Sequence, residues 1–372
     1  MIDTRGLAGA SLGGADGAAG RSDGPRPDAP AGTEGGTRDG PGGDGAPACH
    51  CAGGCPGGVC TAVASTSTRG PSPNTLAMQG DTLYFVDQAA RTIRRLRPGG
   101  VIEPLLAGVD AYTITASATY LFWSTGSGLF RCNLPDCTAR VRLADDQMAG
   151  TVLQMAADAT ILAWVTGPDL LAGQVKSCDP TACIVLGVAD GQHRPQGMAI
   201  DAGYVYWTTH GTGGGLDGTV RRAPRGMPWT PGDFVPGVFA PRAIVVTATH
   251  VYWTEGEGQD DGQVKRCALG MQGCGSPEGV TTPAMSLDDP LRRPVSLVVD
   301  GTHAYVASEV GTIMTCPLTG CASNPGGLPI VVARGLDMPA ALTDAGGCLY
   351  FTDFGGAGGR VLGLGKPARC GP

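Results

Sequence analysis

The chain has 372 residues, of which 62 are glycine and 29 are proline, and its formal net charge at pH 7 is −7. So much glycine and proline favours turns and loops over long helices, and the acidic balance argues against a nucleic-acid partner. No apolar stretch approaches the roughly 18–20 residues that a membrane span requires, so we expect no transmembrane segment in this chain.

Residues 1–48 consist mainly of glycine, alanine, aspartate, proline and arginine and contain no aromatic residue. Such a segment buries too little apolar surface to offset the entropy of ordering, so we predict a disordered tether. The N-terminus also lacks the apolar core of a signal peptide. Because the cysteines described next indicate an oxidising compartment, we expect a signal or lipoprotein leader that lies upstream of this start or has been removed; the alternative is a cytosolic protein with free thiols.

Most of the fourteen cysteines stand in close pairs that recur along the chain. This spacing favours local disulfide bonds in an extracellular, periplasmic or cell-surface protein. The alternative is zinc, but a structural zinc site needs two thiolate pairs to converge on one ion, and pairs in separate repeats are held apart. The predicted bonds are Cys55–Cys60, Cys132–Cys137, Cys178–Cys183, Cys267–Cys274 and Cys316–Cys321.

A cysteine-rich junction, CHCAGGCPGGVC, covers residues 49–60. His50 stands there between two cysteines, which leaves a metal site open beside the simpler interpretation of a disulfide cluster. Four cysteines have no close partner and allow three pairings: Cys49, Cys51, Cys348 and Cys370. Either Cys370 links back to the junction and locks the two ends of the chain together, or it pairs with Cys348.

One motif occurs seven times from Leu76 onward. It consists of an apolar run, a turn rich in small and acidic residues, and a second run that ends in an aromatic pair. The clearest copies are GMAIDAGYVYWTT (197–209) and AIVVTATHVYWTE (243–255), and successive aromatic pairs stand 38 to 53 residues apart. A period in the low forties made of short strands is typical of a four-stranded propeller blade. We therefore predict an all-β fold, a seven-bladed β-propeller over residues 61–372, with six or eight blades as alternatives.

Each predicted unit contains four strands, A to D, with the cysteine pair at the C–D hairpin. The last unit ends before a strand D, and the segment TAVASTS at 61–67 precedes the first complete unit. We predict that this segment supplies the outer strand of the last blade, which closes the ring and removes two exposed edges. The aromatic residues should fill the space between blades: Trp123, Trp164, Tyr206, Trp207, Tyr252, Trp253, Tyr305 and Tyr350.

These aromatic motifs resemble the YWTD-type β-propeller repeat of LDL-receptor-like proteins over about residues 55–372. They are also similar to the VYWT-containing propeller repeats of surface proteins and lipoproteins of myxobacteria and related bacteria. The resemblance implies the fold but no particular function. It also implies that an acid at the last motif position ties neighbouring blades together, but only Asp87, Glu255 and Asp353 keep that acid. YWTD-type receptor propellers have six blades, so the seven motifs counted here depart from that pattern.

Candidate reactive groups are few. His210 follows one VYWT-type strand in a glycine-rich loop and is the candidate catalytic residue, beside the simpler interpretation of an ordinary loop residue. Four acids, Glu255, Glu257, Asp260 and Asp261, offer clustered carboxylates to a Ca²⁺ ion, although their spacing matches no helix-flanked calcium loop and also suits a solvated acidic loop. No hydrolase or metalloprotease motif is present.

The leading functional hypothesis is a secreted or surface-tethered binding scaffold that takes a protein, peptide or glycan on one face of the disc, at loops near its axis. The alternatives are an enzyme of the streptogramin-inactivating lyase type, with His210 and Glu255 or Glu257 at its site, and a purely structural envelope protein. Fold alone cannot decide between them. The loops at 210–218 and 255–262 vary most between units and are where we expect function.

Overall fold

The computed structural model describes the propeller in a series of segments within the compact unit Gly45–Pro372. These are residues 62–66, 75–98, 100–167, 173–212, 215–257, 262–270, 273–274, 276–281, 291–324, 327–345, 347–355 and 358–366. The predicted tether (1–48), the junction (49–60) and the Cys55–Cys60 bond lie outside them. The described residues form seven four-stranded antiparallel sheets, so the predicted all-β propeller with seven blades is confirmed.

The first strand in the chain is β1 (Ala62–Thr66). Blade 1 contains β2 (Leu76–Gln79), β3 (Thr82–Asp87), β4 (Thr92–Leu96) and β5 (Ile102–Ala107). Blade 2 contains β6 (Ile114–Ala116), β7 (Tyr120–Thr125), β8 (Gly128–Asn133) and β9 (Arg140–Asp145), and the short helix α1 (Asp146–Ala149) follows it. Blade 3 contains β10 (Val152–Ala157), β11 (Leu162–Thr166), β12 (Gly173–Cys178) and β13 (Leu186–Gln192).

Blade 4 contains β14 (Pro195–Ile200), β15 (Tyr204–Thr209), β16 (Gly218–Pro224) and β17 (Gly232–Val238). Blade 5 contains β18 (Ile244–Val246), β19 (His250–Glu255), β20 (Gln263–Ala268) and β21 (Glu278–Gly279). Blade 6 contains β22 (Pro294–Val299), β23 (His303–Ser308), β24 (Thr312–Pro317) and β25 (Ile330–Ala333), with a 3₁₀ turn at Cys321–Ser323. Blade 7 contains β26 (Pro339–Ala345), β27 (Cys348–Gly355) and β28 (Gly358–Gly365).

The N-terminal strand β1 completes blade 7, as predicted. It pairs antiparallel with β28, with Ala64 opposite Val361 and Thr66 opposite Gly359. The strand order of this blade is β1-β28-β27-β26, so its outer strand comes from the start of the described chain and its other three from the end. This pairing covers the outer edge of β28.

The aromatic pairs form the interfaces between blades. Successive residues in a strand point to opposite faces of the sheet, so each pair packs on both neighbours of its blade. Tyr84 of blade 1 packs in one cluster with Trp123 of blade 2, and Tyr206 of blade 4 packs with Trp253 of blade 5. The other predicted packing residues are buried in the same way: Trp164, Trp207, Tyr252, Tyr305 and Tyr350. Tyr350 joins the cluster of Phe85, so the same contact closes the ring between blades 7 and 1.

In blade 4, the threonine that follows the aromatic pair anchors the inner strand β14 by hydrogen bonds. Thr208 is fully buried; its Oγ1 accepts from the backbone N–H of Gly197 at 2.8 Å and donates to the carbonyl of Arg242 at 2.8 Å. The β14–β15 register shifts between Pro195 and Met198, which leaves the Gly197 N–H without a partner in the strand pairing. The Thr208 hydroxyl accepts the hydrogen bond from this N–H instead. Gly197 is required there, because a Cβ would lie 2.2 Å from the Arg242 carbonyl oxygen.

The two faces of the ring carry different loops. The D–A connections and B–C loops lie on one face, while the A–B turns and the disulfide-bonded C–D hairpins lie on the other. Disulfide bonds join Cys132–Cys137, Cys178–Cys183, Cys267–Cys274 and Cys316–Cys321. Cys348 is also disulfide-bonded, with a partner outside the described residues. The bonds are compatible with an extracellular location, and no helix in the described segments is long and apolar enough to span a membrane.

The C–D hairpins also connect successive blades. Arg95 at the end of β4 reaches into the disulfide-bonded hairpin of blade 2, where its Nη1 donates to the carbonyl of Pro135 at 2.6 Å. Arg131 makes the equivalent contact with the carbonyl of Thr181 in blade 3, and Arg266 of blade 5 makes it with the carbonyl of Leu318 in blade 6. Three of the four described disulfides, those of blades 2, 3 and 6, therefore shape a hairpin that accepts a hydrogen bond from the preceding blade.

Candidate functional site

An axial cavity of about 400 Å³ lies at the D–A end of the channel that the inner strands surround. Six of the seven blades contribute to its wall, through D–A connections, the first residues of inner strands and one B–C loop. The lining residues are Tyr112, Thr113, Val152, Leu153, Gln154, Gln196, Arg242, Ala243, Val295, Ser296, Glu309, Met338, Pro339 and Ala340. The volume lies in the range of small-molecule sites, which are mostly apolar with a few polar groups.

The polar side chains in the wall are mainly hydrogen-bond donors. Oε1 of Gln154 accepts from the backbone N–H of Met198 at 2.9 Å, which leaves its Nε2 to donate. Ser296 Oγ accepts from the N–H of Leu342 at 3.1 Å, which leaves its hydroxyl hydrogen to donate. Both bonds join one inner strand to the next, so they also fix these side chains at the cavity. Glu309 is the one carboxylate among the described lining residues.

Glu309 is already neutralised by two arginines. Its Oε1 lies 2.8 Å from Arg242 Nη1, and its Oε2 lies 2.8 Å from Arg293 Nη2. Arg242 lies in the D–A connection that enters blade 5, and Glu309 lies in the B–C loop of blade 6. This ion pair therefore joins neighbouring blades. A second interblade pair joins Arg194 of blade 4 to Glu257 of blade 5, at 3.2 Å.

His210 is buried beside the second ion pair. Its side chain is 1% exposed, its Nε2 lies 3.6 Å from Glu257 Oε2, and its backbone N–H donates to the carbonyl of Arg194. Within the described segments neither ring nitrogen has a hydrogen-bond partner. Burial, with Arg194 and Arg242 adding to it against the opposing Glu257, lowers the pKa of His210 to about 4. The ring is therefore neutral at pH 7 and almost completely shielded from solvent.

The structure separates the sequence-predicted site residues. His210 and Glu257 lie together, but neither is among the residues that line the cavity. Glu255 is buried and bound within blade 5: its Oε1 accepts from Trp253 Nε1 at 2.7 Å, and its Oε2 pairs with Lys265 at 2.9 Å. Asp260 and Asp261 lie outside the described residues. Among the residues described, no three histidine, cysteine, aspartate or glutamate side chains are grouped to hold a metal ion.

Among the described residues, the acids at the last motif position form ion pairs only within their own blades. Oδ1 of Asp353 accepts from the N–H groups of Asp337 and Met338, which hold the connection that enters its own blade. Asp87 accepts from Ala90 in the next turn. Two acids that lie just beyond the motif, Glu257 and Glu309, do form ion pairs with arginines of a neighbouring blade. The signal in the sequence was an arginine beside the proline at the start of an inner strand: Arg194-Pro195, Pro241-Arg242 and Arg293-Pro294.

The exposed rim of the cavity is apolar. Tyr112 is 48% exposed and Met338 is 38% exposed, and both line the cavity. They come from the connections that enter blades 2 and 7. Exposed aromatic and methionine side chains at the mouth of a cavity are typical of binding surfaces.

No protein-family model matches the sequence, and no curated protein sequence matches it. Solved structures of similar fold include a catalytically inactive virginiamycin B lyase from Staphylococcus aureus with quinupristin, with a TM-score of 0.57, 11% identity and coverage of 82% of this chain and 98% of that one. The computationally designed Ika8 protein has a TM-score of 0.53 at 12% identity, over 82% of this chain and 99% of that one. The N-terminal domain of Nup159 has a TM-score of 0.51 at 10% identity, over 82% and 93%. At these identities the likeness shows the fold alone.

Proposed function

We propose that this protein is a non-enzymatic binding scaffold, secreted or tethered to a cell surface, whose ligand enters the axial cavity from the D–A face. The single observation that carries the proposal is the cavity itself. Its described lining residues form mainly apolar walls and include one carboxylate, which two arginines neutralise, and no histidine. A catalytic site would instead bring several titratable groups together in the cavity. A relation to YWTD-type or VYWT-repeat surface propellers rests on the motifs and belongs to the same proposal.

The structures of similar fold are consistent with either a binding protein or an enzyme. Nup159 has been crystallised bound to dbp5, and virginiamycin B lyase is an enzyme. The enzymatic alternative for this chain rests on His210 and Glu257, which lie 3.6 Å apart. Because His210 is sealed from solvent, that alternative requires the loops around it to open. If the His210→Ala variant keeps any activity found for the protein, the alternative fails. A purely structural envelope protein, the third candidate, would leave the cavity without a ligand.

A cavity-blocking variant tests the binding proposal. A fragment library is screened by ligand-observed NMR against the wild type and two variants. In Ala243→Trp the new side chain fills the cavity. Ala118→Trp is the control, because Ala118 is exposed in an A–B turn on the opposite face. Fragments should bind the wild type and the control, lose binding to the blocked variant and be recovered chemically unchanged. Thermal unfolding confirms that both variants are folded. Fragments that bind all three proteins equally, or that are converted by the wild type, would refute the proposal.

A further inference from the structure

We infer that the ligand of the axial cavity is a compact organic acid, with its carboxylate held by Arg242 and its apolar body against the aliphatic wall. The inference rests on the proposed function and adds the chemical class of the ligand. It depends on three properties of the cavity: the balance of donors and acceptors, the local charge and the position of the apolar residues.

The cavity offers donors that the fold does not use. Among the described residues, Arg242 makes one side-chain hydrogen bond, from Nη1 to Glu309 Oε1 at 2.8 Å. A guanidinium group carries five N–H donors and no acceptor, so Nε and Nη2 of Arg242 stay open to a ligand. The amide of Gln196 has no hydrogen bond within the described segments, and Gln154 keeps the Nε2 donors. A ligand that satisfies this wall must bring acceptors, and a carboxylate brings the most acceptor sites for its size.

The local charge points the same way. The three ion pairs that Glu257 and Glu309 form at the D–A end contain three arginines, Arg194, Arg242 and Arg293, and these two glutamates. Three positive charges minus two negative charges leave one positive charge, and His210 between the pairs is neutral at pH 7. In a partly enclosed site, one anionic group on the ligand would balance that charge.

The rest of the wall suits an apolar body of modest size. Val152, Leu153 and Val295 come from inner strands of blades 3 and 6, and Ala243 and Ala340 come from blades 5 and 7. Tyr112 and Met338 stand at the exposed rim. Such a wall favours an acid with an aromatic or branched aliphatic substituent over a highly polar anion such as phosphate.

The test compares each acid with its own primary amide, which has nearly the same shape but no charge. The probes are benzoate against benzamide, and N-acetylphenylalanine against N-acetylphenylalaninamide; the second pair represents the C-terminus of a peptide. Binding is measured by ligand-observed NMR on the full chain, on Arg242→Gln and on Arg334→Gln. Arg334 is exposed and lies outside the cavity wall, so its variant is matched in charge.

We expect at least one acid to bind the wild type and Arg334→Gln at least about tenfold more tightly than its amide, because a hydrogen bond to a charged group is worth roughly this factor. The preference should disappear in Arg242→Gln. Since Arg242 also holds Glu309, the Gln196→Leu variant serves as a second test: it removes a side chain that bonds no other described residue, and it should weaken acid binding several-fold in a fully folded protein.

The remaining outcomes separate the two proposals. Equal binding of acid and amide would overturn the carboxylate inference and leave a cavity that binds neutral ligands. Acid binding that is unchanged in both Arg242→Gln and Gln196→Leu would place the anion elsewhere and also overturn the inference. Absence of binding by every acid and every amide would count against the proposed function itself.

Discussion

Arg242 of blade 5 and Glu309 of blade 6 form an ion pair across a blade interface, with 2.8 Å between Nη1 and Oε1. Their side chains are 18% and 23% exposed. The same carboxylate binds Arg293 of its own blade. Glu309 therefore stabilises the ring and also sets the charge at the mouth of the axial cavity.

Replacing Glu309 with glutamine should destabilise the propeller and strengthen anion binding. The variant leaves the partly buried Arg242 and the exposed Arg293 without their carboxylate, so we expect the free energy of unfolding to fall by about 1–2 kcal/mol after allowance for solvent screening. Glu278→Gln is the control, because Glu278 pairs with Arg266 near the outer edge and is 63% exposed. Chemical denaturation of both variants measures the difference. An equal small effect in the two would contradict the importance of this interblade pair.

His210 should make stability depend on pH. Burial lowers its pKa to about 4 in the folded protein, whereas an unfolded chain has a histidine pKa of about 6.5. Between these values the unfolded chain binds a proton that the folded protein does not, so the free energy of unfolding falls as the pH drops from about 6.5 to about 4. This one group accounts for a loss of about 3 kcal/mol, since each pKa unit is worth 1.36 kcal/mol.

Denaturation curves of the wild type and His210→Gln between pH 4 and 7 isolate that contribution. As the pH falls, the free energy of unfolding of His210→Gln should rise steadily relative to that of the wild type. His250→Gln is the control, because His250 is the first residue of β19, directly after an A–B turn, with its Nδ1 at 2.8 Å from Thr249 Oγ1. If the His210 variant keeps the wild-type slope, the histidine is not a buried neutral group.

The disulfide of blade 2 and Arg95 of blade 1 should act together. Arg95 donates to the carbonyl of Pro135 inside the Cys132–Cys137 hairpin. Replacing both cysteines with serine should cost about 2 kcal/mol for so short a loop, and Arg95→Met should cost about 2 kcal/mol for a charge-assisted bond. The combined variant should lose less than the sum, because both changes disturb one hairpin.

A distant disulfide supplies the reference for this coupling. Combining Arg95→Met with serines at Cys178 and Cys183, in blade 3, should give additive losses of stability, since the blade 3 hairpin does not contact Arg95. Urea denaturation of the single and combined variants gives the free energy of unfolding for both double-mutant cycles, one with the blade 2 disulfide and one with the blade 3 disulfide. Additive losses in both would mean that the blade 2 disulfide does not support the arginine contact.

Removing β1 should open the ring. A chain that begins at residue 61 keeps Ala62–Thr66, whereas one that begins at residue 68 leaves the edge of β28 unpaired. We expect the shorter chain to melt at a lower temperature and to associate as its concentration rises, because an unpaired edge strand pairs with other chains. Thermal unfolding and light scattering compare the two. Identical behaviour would mean that the closure does not stabilise the propeller.

The architecture was predictable because one interaction repeats in every blade. Each aromatic pair serves two blade interfaces, as Tyr84 with Trp123 and Phe85 with Tyr350 illustrate, so a period of about forty residues is visible in the sequence. The role of the threonine in YVYWT was missed. Its partner is a backbone N–H released by an irregular register, and no side-chain pattern records such a group.

The cavity was less accessible to sequence analysis. Its wall takes one to three residues from each of six blades, and those residues differ in type between blades. The role of Glu257 and Glu309 in joining blades was also missed, because the loops that carry them differ in length and place the carboxylate at different distances from the motif. Sequence analysis instead favoured His210, whose loop position suggested exposure, whereas packing between Arg194 and Glu257 buries it.

The most direct test of the binding proposal is an anomalous difference map from crystals soaked with 4-bromobenzoate. We predict a bromine peak inside the axial cavity, near Ala243 and Val295, with the carboxylate within hydrogen-bonding distance of Arg242. A bromine peak on the outer surface or on the C–D face, with the cavity unchanged from the unsoaked crystal, would contradict the account.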